Sequence, residues 1–341
     1  MSNPGGSMKL QFVAPNAGAS TNITVLRAYP TTSMIRHIRE EDVRRVLTMA
    51  TTMAIVETAM RARTDGRAVD EPRTMIQFPG ASLRVLAAQA PYLGLAGYKA
   101  TYAEIGAAAR GYLHLIDAES GELRAVIESV HLSVMRTGAA SGIATRTLAR
   151  GDASIVALLG TGTQAMGQLE ATCAVRTIKS VRVWSRNAER VREFCARAER
   201  LLRVAVSAAK NGAEAVRGAD IINVITSSAT PVLLGDWLEP GQHINAAGAN
   251  TLSRRELDEM AVQRCDRIVV DARDVAQREC GDLHPLVEAG LRSWDALPEL
   301  GEVLAGTVPG RAGPSDITLY ESHGIGVQDL YAAKFVYDAL Q

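Results

Sequence analysis

The sequence predicts an α/β protein: a doubly wound parallel sheet joined to a second, α+β domain with an antiparallel sheet. Three observations point there. After Gly151, short apolar runs alternate with helical stretches. Before it, strand-like runs are joined by short, turn-rich links. One glycine-rich segment connects an apolar run directly to a helix. Apolar strands separated by helices indicate a parallel sheet covered on both faces, whereas strands with short links pair antiparallel.

The first half begins with residues 1–22, which read as a flexible end; residues 1–8 have neither the basic start nor the apolar core of a secretory leader. One helical pattern runs over residues 40–63, and strand-like runs follow at 74–78, 83–88 and 95–102. Residues 111–116 and 123–128 flank Asp117-Ala118-Glu119-Ser120-Gly121, a hairpin signal. A helix over 131–149 leads out of this region.

In the second half, strands are expected at 154–159, 181–184, 204–207, 221–225, 244–247 and 268–270, with helices at 164–175 and 188–202. Asn211 with Glu214, and Ser253 with Glu256, have capping-box spacing before helices. The segment 317–320 and a helix over 327–340 return to the first domain. The expected division is therefore residues 23–150 with 318–341 as one domain and 151–317 as the other.

Composition narrows the function classes. The 341 residues carry 37 Lys plus Arg and 37 Asp plus Glu, so no net field attracts a polyanion and nucleic-acid binding is not expected. Cys173, Cys195, Cys265 and Cys280 form no CxxC pair and no ligand spacing with histidine. Neither a disulfide framework nor a metal site is expected, and a reducing, cytoplasmic setting fits. No apolar run approaches the roughly 20 residues of a membrane span.

The glycine-rich segment carries the chemistry. Residues 154–159 run straight into Gly160-Thr161-Gly162-Thr163-Gln164-Ala165, which opens a helix. Gly160 permits a tight turn, Gly162 lets backbone approach a pyrophosphate, and Ala165 lets helix and strand pack closely. Free N–H groups at the helix start then face the phosphates. This is a Rossmann dinucleotide turn. Cofactor choice is usually set at the end of the second strand, where an acidic residue holds the ribose of NAD and an arginine accommodates the phosphate of NADP. Here stand Ser185, Arg186 and Asn187, with no carboxylate before Glu189. NADP(H) is favoured and NAD(H) remains possible. Thr226 and Ser227, at the end of the fourth strand, are placed to line the cofactor cleft.

Before Gly151, Arg73, Lys99 and Arg136 sit among apolar neighbours. Arginines at a domain junction could clamp a carboxylate, and a buried lysine could donate a proton. The alternative for each taken singly is a structural ion pair. His323, in Ser322-His323-Gly324, reads either as a proton donor near the cofactor or as a packed histidine.

Together these segments resemble the ornithine cyclodeaminase/μ-crystallin family. The resemblance rests on Gly97-Tyr98-Lys99, Met135-Arg136-Thr137-Gly138-Ala139-Ala140-Ser141, the glycine turn, Ala215-Val216-Arg217-Gly218-Ala219-Asp220, Leu238-Glu239-Pro240-Gly241-Gln242-His243-Ile244-Asn245-Ala246-Ala247-Gly248, Arg255-Glu256-Leu257-Asp258 and the stretch 320–329. It implies a homodimer whose first domain binds substrate and dimerises around a central Rossmann domain. It also implies that Arg73 and Arg136 bind the carboxylate of an imino or amino acid and that Lys99 stands beside the reacting carbon.

One departure bears on mechanism. Cyclodeaminases carry an aspartate where this chain has Asn250, and an amide can neither act as a base nor anchor an ammonium as a carboxylate does. The residues after Lys99 also lack that family's usual Pro and Asn. The expected activity is thus NAD(P)H-dependent reduction of a carboxylate-bearing imine or ketimine, or the reverse amino-acid dehydrogenation. The alternatives are a cyclodeaminase that recycles bound NAD and a non-catalytic NADPH-binding protein of μ-crystallin type.

Overall fold

The computed structural model describes residues 34–104 and 109–341, so the reading of residues 1–22 lies outside the described residues. The chain opens with β1 (Arg36–Ile38), α1 (Glu40–Val46) and α2 (Met49–Thr64). Then come β2 (Val69–Asp70), β3 (Thr74–Phe78), β4 (Ala81–Ala90), β5 (Leu95–Glu104), β6 (Arg110–Asp117), β7 (Leu123–Glu128) and α3 (Val130–Leu148). These strands form one sheet in the order β1-β7-β6-β5-β4-β2, with β3 also on β4. Only the β1–β7 pair is parallel. Buried residues of α2, α3 and a C-terminal helix cover its inner face in a single core.

The parallel half contains β8 (Ile155–Leu159), α4 (Ala165–Val175), β9 (Ser180–Trp184), α5 (Ala188–Leu202), β10 (Ala205–Ala208), α6 (Gly212–Val216) and β11 (Ile221–Val224). It continues through β12 (His243–Ala246), α7 (Glu259–Gln263), β13 (Arg267–Val270), α8 (Arg273–Glu279), α9 (His284–Glu288), α10 (Leu300–Ala305), β14 (Thr318–Glu321) and α11 (Gly326–Ala339). Its strand order is β10-β9-β8-β11-β12-β14-β13, all parallel. The order reverses between β8 and β11, and in open α/β sheets ligands bind at such a switch point. Two apolar clusters fill the opposite faces of this sheet. The expected fold class is therefore the observed one.

Several expectations need correction. The single helix over 40–63 is two helices, because Thr48 is extended (φ −92°, ψ 159°) and its hydroxyl caps α2 by accepting from the Thr51 N–H. The segment 318–321 does not belong to the first domain. As β14, fully buried, it lies between β12 and β13 and pairs in parallel with both. The return to the first domain comes after Glu321, through α11. No helix follows Ser253; the next, α7, is capped by Asp258, which accepts from Ala261 N at 2.8 Å. Asn211 does cap α6, but Glu214 accepts from Lys210 N rather than from the cap's own N–H.

The two halves meet most closely where α3 crosses α4. A Cβ at Gly138 would stand 2.3 Å from the carbonyl oxygen of Gly167, so only glycine permits this approach. The helix bearing Arg136 thus packs backbone to backbone on the helix that follows the glycine turn.

Candidate active site

A cleft of about 450 Å³ opens at the switch point, with the glycine turn on one wall and the inner face of the antiparallel sheet on the other. Gly160 has φ +113°, and a Cβ there would lie 2.3 Å from the carbonyl oxygen of Ile225. Its N–H donates to Trp184 O at 2.9 Å, tying the turn to the end of β9. A Cβ at Gly162 would meet nothing within 4 Å, which leaves that backbone open to a ligand. A strained glycine bend, an open second glycine and the start of α4 suit a pyrophosphate. Thr161, Gly162, Thr163 and Gln164 all line the cleft, so the turn fits a dinucleotide.

At the end of β9, Ser185, Arg186 and Asn187 line the same cleft, joined by Arg190 from α5. Ser185 Oγ lies 3.1 Å from Thr161 Oγ1. Asn187 is partly committed, since its Oδ1 caps α5 by accepting from Arg190 N at 3.0 Å. Arg186 and Arg190 are exposed. Both are side chains with positive charge and, among the described residues, no ion-pair partner.

Thr226, Ser227, Gly248 and Asn250 form the opposite lip. The residue that shapes this lip is Glu256, which the sequence reading assigned to a helix cap. Its carboxylate accepts from Thr226 N (2.5 Å), Thr226 Oγ1 (2.7 Å), Gly248 N (2.6 Å) and Ala249 N (3.0 Å). One buried side chain therefore clamps the loops after β11 and β12. Burial outweighs these donors and pushes its carboxyl up to about 7.

On the antiparallel side, α3, β5 and α11 bring Arg136 and Lys99 onto one carboxylate. Lys99 Nζ donates to Asp329 Oδ1 at 2.7 Å and Arg136 Nε to the same oxygen at 3.1 Å. Arg136 also donates to Gln328 Oε1 at 3.2 Å, and Lys99 to Ser133 Oγ at 3.2 Å. Burial would raise the Asp329 carboxyl, but Arg136 and Lys99 together hold it below the usual carboxylate range. Burial pulls the Lys99 ammonium down to about 7, with Asp329 opposing and Arg136 assisting. Arg136 lines the cleft; Lys99, only 5% exposed, stands one layer behind it.

Arg73 lines the cleft as well, but its guanidinium is already engaged. It pairs with the Glu279 carboxylate and donates to His323 O at 2.8 Å. His323 is held by Asp271, which accepts from the backbone N–H groups of His323 (2.7 Å) and Gly324 (2.6 Å) and faces Nδ1 at 3.4 Å. Its Nε2 is buried without a hydrogen-bond partner among the described residues and lies 4.0 Å from Glu321 Oε2. Cys280, Glu321 and His323 lie close enough together to hold a metal ion. Burial pushes both the Cys280 thiol and the Glu321 carboxyl towards their neutral forms.

Residues 33–341 match the ornithine cyclodeaminase/mu-crystallin family. The chain belongs to this family. It is 37% identical over 229 residues to a delta(1)-pyrroline-2-carboxylate reductase of Bacillus cereus, covering 67% of this chain and 70% of the relative. It is 32% identical over 308 residues to an alanine dehydrogenase of Archaeoglobus fulgidus, covering 88% and 94%. The structure of Thermococcus litoralis delta(1)-pyrroline-2-carboxylate reductase, in complex with NADH and L-proline, superposes with a TM-score of 0.86 at 29% identity, covering 89% of this chain and 97% of that one. These family members are nicotinamide-dependent oxidoreductases of imines or amino acids, the class to which the sequence reading assigned the chain. Among the described residues no helix is long and apolar enough to cross a membrane, and all four cysteines are free thiols.

Proposed function

We propose that this protein reduces the C=N bond of a carboxylate-bearing imine or ketimine to an amino acid, or runs the reverse dehydrogenation, with NADP(H) preferred over NAD(H). The observation that carries the reading is the Lys99–Asp329–Arg136 group beside the dinucleotide turn. Two cations share one anion there, leaving a positive charge that suits a substrate carboxylate. When bound, the reduced nicotinamide supplies a hydride to the imine carbon, and the nitrogen takes a proton.

Arg136 holds the carboxylate, since its Nη2 has no protein partner among the described residues. Arg73 braces the wall through Glu279 and the His323 carbonyl rather than clamping substrate directly. Lys99, one layer behind Arg136, holds a proton near neutrality, which it or a water between it and the substrate passes to the nitrogen. Asp271 fixes His323 in the wall of the cleft through its backbone N–H and ring Nδ1. Asn250 lines the cleft but offers no base, which disfavours ring-closing deamination.

The preference for NADP(H) rests on Arg186 and Arg190 at the end of β9, which make no ion pair among the described residues, and on the lack of any carboxylate in the cleft lining. The test is coenzyme oxidation, followed by absorbance, with 2-oxo acids plus ammonia or methylamine and with cyclic ketimines. Turnover with NADPH exceeding that with NADH, and reversal of the ratio in Arg186→Glu, is the expected result. Absence of turnover across the panel with both coenzymes would sink the reading.

The outer face of the antiparallel sheet supports a homodimer. Ile76, Phe78, Tyr98, Tyr102 and Tyr112 are all exposed there, an apolar surface of a kind that soluble monomers seldom leave uncovered.

A further inference from the structure

Arg84 was not singled out in the sequence, yet it shares the wall of the cleft with Arg73 and Arg136. It lies on β4 opposite Met75 of β3 and Thr101 of β5. Side chains alternate along a strand, so Arg84 shares its face with Arg73, two residues before Met75, and with Lys99, two before Thr101. All three belong to the inner face that looks onto the dinucleotide turn.

The cations on this face differ in how they are neutralised. Arg73 has Glu279, and Lys99 and Arg136 share Asp329. Arg84 makes no ion pair among the described residues, and its buried Nε has no hydrogen-bond partner. Burial, then the nearby charges of Arg73 and Arg254, pull its guanidinium below the ordinary arginine range. A half-buried cation among other cations, aimed into a cleft and left unpaired, costs stability unless a ligand anion meets it. One anion already belongs at Arg136. A second one remains to be supplied.

We infer that Arg84 binds a second carboxylate, carried on the side chain of the substrate, and so selects 2-imino (or 2-amino) dicarboxylic acids over monocarboxylic ones. The inference rests on the imine-reducing reading for its reaction, but the binding geometry stands on Arg84 alone. A guanidinium with free donors matches a carboxylate in bidentate fashion, and a site built around such a pair discriminates against analogues that lack it.

The experiment compares 2-oxo acids of matched length, oxaloacetate and 2-oxoglutarate against 2-oxobutyrate and 2-oxovalerate, each with ammonia and NADPH or NADH. The wild type, Arg84→Gln and the charge-preserving Arg84→Lys are assayed in parallel. The expected result is a kcat/KM ratio favouring the dicarboxylic series, which falls about 10- to 100-fold in Arg84→Gln, chiefly through KM, and is partly kept in Arg84→Lys. An unchanged ratio, or a loss in Arg84→Gln that appears in the KM for coenzyme with every substrate, overturns it. Calorimetric titration of aspartate, glutamate and alanine into the coenzyme-bound protein separates this failure from that of the parent reading. If no imine is turned over but aspartate or glutamate binding depends on Arg84, the recognition role stands. If monocarboxylic imines are the better substrates and Arg84 is indifferent, only the recognition role falls.

Discussion

Among individual residues, Lys99 carries the sharpest consequence. Burial brings its ammonium from the ordinary lysine value of roughly 10.4 down to about 7. Reduction needs the protonated form, so kcat/KM in that direction falls as pH rises through about 7. Amino-acid oxidation needs the neutral form and rises over the same interval. Lys99→Met removes both titrations and lowers kcat by about 10²- to 10⁴-fold. Steady-state rates from pH 5.5 to 9 check this, and an unaltered profile in the variant would assign the proton elsewhere, with His323 the next candidate. The three basic residues were legible in the sequence because charge amid apolar neighbours is conspicuous. Asp329 was not: it reaches Lys99 from 230 positions away, and only the return of α11 shows that it organises both cations.

Among elements, Glu256 shows how local spacing misleads. Ser253 and Glu256 have the separation of a capping box, yet the carboxylate serves two loops from other strands instead of a helix end. Each of its oxygens accepts two donors, so Glu256→Ala would leave the N–H groups of Thr226, Gly248 and Ala249 without their acceptor. A loss of about 1–3 kcal/mol is expected, read as a lower Tm and weaker coenzyme binding. The pH dependence follows from the sign of the shift. The folded carboxyl sits near 7, above the unfolded value of about 4.3, so the native state binds more protons between them. Glu256 therefore makes stability decline as pH climbs from about 4 to 7, and the variant should lose that part of the slope. The glycine turn was readable because its neighbours are contiguous in sequence. The α3–α4 contact was not, since Gly138 and Gly167 are ordinary residues until their helices cross. Gly138→Val is expected to separate those helices and weaken coenzyme binding and substrate turnover together, whereas Gly160→Ala should weaken coenzyme binding first.

For the whole molecule, the proposed homodimer rests on side-chain alternation in the antiparallel sheet. Inward positions of β4 and β5 such as Leu86 and Lys99 are buried, whereas Ile76 (50% exposed), Phe78 (48%) and Tyr102 (47%) face outward. Tyr98 stacks on His114 across β5 and β6 at 4.5 Å on the same outer face. A second copy of the chain is the natural cover, since a two-fold axis lets the same patch serve both sides. Sedimentation velocity at micromolar concentration should then give a dimer. Because a substitution enters a two-fold interface twice, Tyr102→Asp places two carboxylates in it and should weaken association by about 2–4 kcal/mol. The same variant should keep its affinity for coenzyme, because Tyr102 stands on the outer face of the sheet and does not line the dinucleotide cleft. A wild-type protein that sediments as a monomer, or a Tyr102→Asp dimer of undiminished strength, would place the contact on another surface.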